Sequence, residues 1–497
     1  MPALLGIDLG TSSVRAMILQ TGTREQRVCG EEYAVSYPQP YWAEQDPRLW
    51  YAKTCSAVRK LLALTGLAPE NIQAVAFSGQ MHGLVCLDGQ GELLRPAIIW
   101  PDQRSAASIQ KIYDVLGAAA VRQEIQNALA PGFLLASLYW LFEHEQETYK
   151  RIRSVMLPKD YIKFRLTGRI VTDYSDAAGS AAFNNASLSW SLPLLEALGL
   201  SPEVFPPCLP STALIGTVTE QAAQESSLRR GTAVVNGGAD QGMQAVGSGI
   251  IEEGVFACNI GTGGQISTTL SSPRYHEKFR VNVFAHVLPG KWNIMAAMLN
   301  AGASLKWLAR QVLGADDYQA LDREAEKIAP GCEGLIFLPY LTGERFLQDP
   351  SARGVFFGLT AKHNRFHLVR AVMEGVVFAL RDCLDSIVQD MGVPCKRIVA
   401  AGGGAAGSLW PQIQADILER PLVRGLNTEQ ACLGAAIIAG VGAGVYPDAG
   451  SAVRELVQYG SRYEPRIAYQ ARYREYRALF QELYARNKDM FHRIGRL

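Results

Sequence analysis

Residues Leu4 to Leu19 read LLGIDLGTSSVRAMIL, and residues Gly254 to Leu270 read GVFACNIGTGGQISTTL. In each, an apolar run meets a Gly-Thr turn and a second apolar run follows. Leu4–Leu9 and Val14–Leu19, then Val255–Ile260 and Gln265–Leu270, are bounded by glycine, serine and threonine, which predicts two strands joined by a short loop in each case. Aligning the turns pairs Gly10 with Gly261, Thr11 with Thr262 and Asp8 with Asn259. Glycine lets backbone approach a ligand closely, and exposed N–H and hydroxyl groups suit an anion such as phosphate. Two such turns, with a carboxylate in the first only, predict facing phosphate clamps and one metal-side group, Asp8. Mg²⁺ takes few protein carboxylates and keeps several waters, so one aspartate suffices. The alternative is a pair of unrelated hairpins.

The chain can accommodate such a repeat. Its 497 residues exceed one compact core and predict two domains. The content is 48% hydrophobic and 19% charged, ordinary for a globular protein. With 48 basic and 47 acidic residues the net charge is +1, which gives no electrostatic footprint for nucleic acid or an anionic membrane. No basic and apolar leader opens the chain, so a cytoplasmic location is expected. The apolar run LGAAIIAGVGAGV reads as a buried helix end rather than a membrane span. Nine scattered cysteines, without metal-ligand spacing, read as small buried hydrophobes in a reducing compartment.

Other stretches add chemistry. VVNGGADQG, Val234 to Gly242, ends a β-branched run in glycines and presents Asp240 just before a helix expected over Gln241–Gly249. Asp240 there suits a transferring phosphoryl group, the alternative being a surface helix cap. FSGQMHG sets Met81 and His82 in a polar turn between Ile72–Ser78 and Leu84–Leu87, which reads as a ligand-facing loop. No GxxxxGK[ST] P-loop occurs. The GxGxxG of Gly402–Gly407 lies between strand-like 396–401 and helix-like 408–419, but lacks the acidic residue and second βαβ half of a dinucleotide site. It reads better as a loop against the adenine and ribose of ATP. Tyr469, Tyr473, Tyr476, Phe480 and Leu483 predict an amphipathic C-terminal helix docked on the second domain. Lys159 and Tyr161 in LPKDY read as a structural strand-to-helix corner.

With RPAIIWPDQR, LPKDYIKFRLTG, VTDYSDAAGS, PYLTGER, DPSARGVFFGL and AGGGAAGSLWPQIQADI, these runs resemble the FGGY carbohydrate kinase family over nearly the whole chain, most closely its xylulose-phosphorylating members. The resemblance implies an α/β fold of two actin-like (RNase H-like) ATPase domains around a central cleft, divided as 1–246 and 247–497. It implies ATP-dependent phosphorylation of a sugar primary hydroxyl, with Asp240 as general base and Asp8 at the Mg²⁺–phosphate position. Thr11, Ser12 and Arg15 fall in the first phosphate turn and Gly261, Thr262 and Gly263 in the second. Gly403 and Gly404 fall in the adenosine loop, and Met81, His82, Asp240 and Gln241 on the sugar side. Homodimers are common among such relatives. This chain departs from the usual pattern at Gln241, Ser137, Ala406, Phe346–Gln348 and in Trp100–Arg104, on the sugar side above all. A kinase of another ketose, polyol or sugar acid, or a catalytically silent sugar-responsive regulator, are the alternatives.

Overall fold

The computed structural model describes residues 2–278 and 280–495. In the first half, β1 (Ala3–Leu9), β2 (Ser13–Gln20) and β3 (Gln26–Glu32) form an antiparallel meander. Beside β1 runs β4 (Ile72–Gly79), parallel to it. The far edge carries β5 (Leu214–Thr217) and β6 (Ala233–Val235), with β6 parallel to β4, and the chain returns to β4 as β7 (Gly238–Ala239). Period-2 alternation gives this sheet two apolar faces. Leu5, Ile7 and Leu9 point into a core with α1 (Pro47–Thr65), whose first turn Asp46 caps by accepting the Arg48 N–H at 2.9 Å. Further helices of this half include α2 (Pro158–Thr167), the short α3 (Tyr174–Ala178) and α4 (Asp240–Gly247).

The second half repeats the plan. β8 (Val255–Ile260), β9 (Gly264–Leu270), β10 (Asn282–Ala285) and β11 (Trp292–Met298) are joined by β12 (Arg397–Ala401), β13 (Leu422–Gly425) and β14 (Tyr459–Tyr463). The sheet order is β10-β11-β9-β8-β12-β13-β14. In both sheets the glycine-turn hairpin leads an antiparallel trio, and parallel strands add beside its first member. This is the actin-like arrangement, twice over. Gly302–Trp307 forms α5, and α6 (Arg365–Asp385) and α7 (Leu409–Leu418) fill the second core.

Against the first sheet lies α8 (Gln430–Gly442), the helix containing most of the Gly/Ala-rich run, buried from Ala431 to Gly440. Although it follows all but the last of the second sheet's strands, it packs on β1, β4 and α4. Glycine makes the approach possible: a Cβ on Gly6 would collide with the Cys432 carbonyl, and one on Gly434 with Met243. Leu4, Met17, Ala74 and Val235 share a core with α8 and α9 (Ala449–Leu456). Among the described residues no helix is long and apolar enough to cross a membrane. The C-terminal helix α10 (Ile467–Ile494) docks Tyr473, Phe480 and Leu483 into the second core, as its periodicity predicts.

Candidate active site

The strands and turns of the two hairpins contribute residues to two neighbouring cavities. Asp8, Arg15, Asn259 and Glu429 line a cavity of about 570 Å³, so the aligned positions 8 and 259 both border it. A larger cavity, about 1110 Å³, is lined by Gly261, Thr262, Gly403 and Gly404. Ala406 and Arg424 line both, which makes the two cavities neighbours.

Side chains hold the first turn. Tyr33 donates its hydroxyl hydrogen to the Gly10 carbonyl at 2.6 Å, and Gln45 its amide to the Thr11 carbonyl at 2.7 Å. The Trp100 indole N–H donates to Thr11 Oγ1 at 2.9 Å. Ser12 is exposed and its carbonyl accepts the Tyr33 N–H at 3.0 Å. Arg15 reaches across to an ion pair with Glu429, the residue that opens α8. Asp8 Oδ1 accepts the Ser78 hydroxyl at 2.6 Å. Burial raises the Asp8 pKa above its ordinary value; the Ser78 hydrogen bond opposes this, Glu429 adds to it and Arg15 offsets it.

Backbone holds the second turn. Ala301 and Ala303 donate their N–H groups to the Thr262 carbonyl, each at 3.0 Å, and Gly302 donates to the Gly261 carbonyl at 2.9 Å. The turn therefore sits on the start of α5. Gly403–Ala405 forms a single tight turn after β12.

Asp240 begins α4 rather than preceding it, because β7 ends at Ala239 and leads straight into the helix. Its Oδ1 is buried and has no hydrogen-bond partner among the described residues. Burial, reinforced by the Asp8 charge and opposed by the Gln241 N–H, pushes its pKa up to about 7. Gln241 Oε1 accepts an amide hydrogen of Gln265 at 3.2 Å, linking α4 to the second hairpin.

His82 adopts a left-handed backbone, φ 77°, and its Nδ1 donates to the Gly179 carbonyl at 2.6 Å. A carbonyl only accepts, so Nδ1 carries the hydrogen and Nε2 keeps its lone pair. The ring stacks on Phe133 with centroids 3.9 Å apart, and burial lowers its pKa to about 4. It is neutral at pH 7. Met81 is buried beside Ala177, Ala178 and Phe284. Phe284 comes from β10 of the second half, which docks where Asn127 exchanges hydrogen bonds with Val283 at 2.6 and 2.8 Å.

Sequence reasoning missed Phe133, Ser78, Phe284 and Glu429. Ser78 was visible as the polar end of FSG and Phe133 as the aromatic of PGF, but nothing local marked Phe284 or Glu429. The three buried carboxylates Asp160, Asp173 and Asp176 have metal-ligand spacing, yet Lys159 Nζ lies 2.6–2.8 Å from each of them.

Residues 3–247 match the model of the N-terminal domain of the FGGY family of carbohydrate kinases, and 256–443 that of its C-terminal domain. The chain is 32% identical to the xylulose kinase of Bacillus subtilis over 99% of this chain and 98% of that one. It is 30% identical to the gluconokinase of the same organism over 93% and 91%. A ligand-bound xylulose kinase structure from Lactobacillus acidophilus superposes with a TM-score of 0.93 at 26% identity, covering 99% of this chain and 100% of the other.

Proposed function

The chain belongs to the FGGY family of carbohydrate kinases, and from that premise we propose that it transfers the γ-phosphoryl group of ATP to a primary hydroxyl of D-xylulose, giving D-xylulose 5-phosphate. The observation that carries the chemistry is Asp240: a carboxylate with a buried, unpartnered Oδ1 and a pKa of about 7 is poised to accept a proton near neutrality. The sugar hydroxyl passes its proton to Asp240 as its oxygen bonds to the γ-phosphorus, and the bond to the β-phosphate oxygen breaks to release ADP. Neutral His82 offers Nε2 as an acceptor for a second sugar hydroxyl, while Gln241 and the buried Met81 shape the same side.

Thr11, Ser12, Gly261, Thr262 and Gly263 flank the phosphates, and Gly403 and Gly404 the adenosine. Asp8 and Glu429 supply hard oxygen ligands in a cavity with room for retained waters, which fits Mg²⁺. Bound there, the metal would offset charge on the phosphate oxygens. Arg15, held by Glu429, adds a cation beside Asp8. In this reading residues 1–246 form the sugar-side unit and 247–497 the nucleotide-side unit, and closing the cleft excludes water as a rival nucleophile.

A sugar acid such as gluconate is the second reading. One observation favours it besides the gluconokinase relative: Arg345, whose charge acts on His82, is offset by the Glu344 charge but forms no close ion pair among the described residues. ADP release with Mg-ATP over D-xylulose, D-ribulose, L-ribulose, L-xylulose, gluconate and glycerol separates the two. D-xylulose is expected to give the highest kcat/KM, and Asp240→Asn to lose about 10²–10⁴-fold. Preference for gluconate would install the second reading. Full turnover by Asp240→Asn would remove the base assignment.

A further inference from the structure

A cluster of buried charge lies behind the site. Lys159 and Lys163 of α2, together with Asp160, Asp173 and Asp176, are all within 1% of fully buried. Lys159 Nζ stands 2.8 Å from Asp160 Oδ1, 2.6 Å from Asp173 Oδ2 and 2.8 Å from Asp176 Oδ2. Lys163 Nζ stands 2.7 Å from Asp160 Oδ1 and donates to Asn236 Oδ1 at 2.6 Å. Desolvating such a set is costly, and apolar residues of similar volume often stabilise a fold as well or better. What the cluster holds in place is therefore the informative question.

It holds α3 at both ends. Asp173 caps the helix, accepting the N–H groups of Ser175 at 2.9 Å and Asp176 at 3.2 Å. The Ser175 hydroxyl donates to the same Asp173 oxygen and accepts the N–H of Ala239, the residue before Asp240, at 2.9 Å. At the other end Gly179 donates its N–H to the Asp176 carbonyl at 2.9 Å and offers its own carbonyl to His82 Nδ1. Neither junction has slack. A Cβ on Gly238 would lie 2.6 Å from Ser175 Oγ, and one on Gly179 would lie 2.8 Å from Met81 Cε. Lys159 thus grips Asp173 and Asp176, and α3 carries that grip to Asp240 by one end and to His82 by the other.

We propose that Lys159 and α3 form a jig that fixes Asp240 relative to His82, with Ser175 as the positioning residue that connects the buried cluster to Asp240. The inference rests on the reading of Asp240 as the base. Displacing a reacting group by about 1 Å costs on the order of 10²-fold in rate. Ser175 takes no part in the adenosine cavity, so its loss should act on kcat and spare the KM for ATP.

The test uses the full-length protein with Ser175→Ala and Ser175→Cys, the latter keeping a side-chain group at that position, slightly larger and a poorer acceptor, beside Asp240→Asn. Both Ser175 variants are expected to lose about 10–10²-fold in kcat, with KM for ATP within about twofold and a thermal midpoint well above the assay temperature. If Ser175→Ala fails to fold, Ser175→Cys gives the same reading. A kcat within about twofold of the parent, with Asp240→Asn inactive, overturns the jig alone. A loss of kcat matched by an equal rise in the KM for ATP also overturns it, since that marks general loosening. Full activity in Asp240→Asn overturns the base reading instead.

Discussion

The two Gly-Thr turns occupy the same place in their sheets, each closing a hairpin whose first strand takes a parallel neighbour, yet they are secured by different means. Around Gly10 and Thr11 the partners from outside the hairpin are side chains: Tyr33, Gln45 and Trp100, with Ser78 on the neighbouring Asp8. Around Gly261 and Thr262 they are the N–H groups of Ala301, Gly302 and Ala303. One turn is tuned by chemistry that a substitution can alter, and the other is fixed by backbone that few substitutions reach. The charge follows the same division. Asp8 and Asn259 line one cavity, the first with a carboxylate and the second with a neutral amide of similar shape. In the proposed mechanism, one acid-to-amide difference divides a repeated fold between holding and charge handling.

Asp8→Asn makes the first turn imitate the second and carries the largest expected effect, a loss of about 10³-fold in kcat at saturating sugar and Mg-ATP. Turnover within about tenfold of the parent, read by ADP release, would mean that the asymmetry is not functional. The pH profile probes what Asp8 does to its neighbour. Its negative charge helps raise Asp240 to about 7, so the proton-accepting form of Asp240 is lost as pH falls through that value. kcat/KM should drop about tenfold per unit below pH 7. A flat profile between pH 5 and 7 would count against a raised base. The sign for stability is the reverse of the usual aspartate: the folded state holds this proton more tightly, so Asp240 contributes less as pH rises from about 4 to about 7, and Asp240→Asn should gain midpoint temperature at pH 8. Gly302→Ala tests the backbone-held turn. Its Cβ would run into the Gly261 carbonyl, and a rise of about tenfold in the KM for ATP with a smaller change in kcat is expected. An unchanged KM would show that the turn can yield.

Much of this was legible beforehand because the informative signals are local. Apolar strands broken by Gly-Thr announced both hairpins, and the structure forms them over Ala3–Gln20 and Val255–Leu270. The buried helix in the Gly/Ala-rich run and the docked C-terminal helix follow from composition and periodicity. What stayed hidden is carried by contacts between distant segments. Lys159 read as a structural corner because its partners Asp173 and Asp176, and their link through Ser175 to Ala239, lie on other elements. Phe284 beside Met81 arises only when β10 docks on the opposite half, and Glu429 meets Arg15 only because α8 crosses back. No local pattern records such meetings.

That crossing has a consequence for how the chain is made. Synthesis runs from the N-terminus, so β1, β2, β4 and β6 leave the ribosome long before residues 430–456 exist. Until then the face bearing Leu4, Met17, Ala74 and Val235 lacks the cover of α8 and α9, with Met243 and Val246 of α4 among its earlier partners. The first half must wait, sticky on one side, for nearly the last of the message. A gene cut between the two sheets would leave an N-terminal product with that face permanently open, and chaperone demand during translation should peak before α8 emerges.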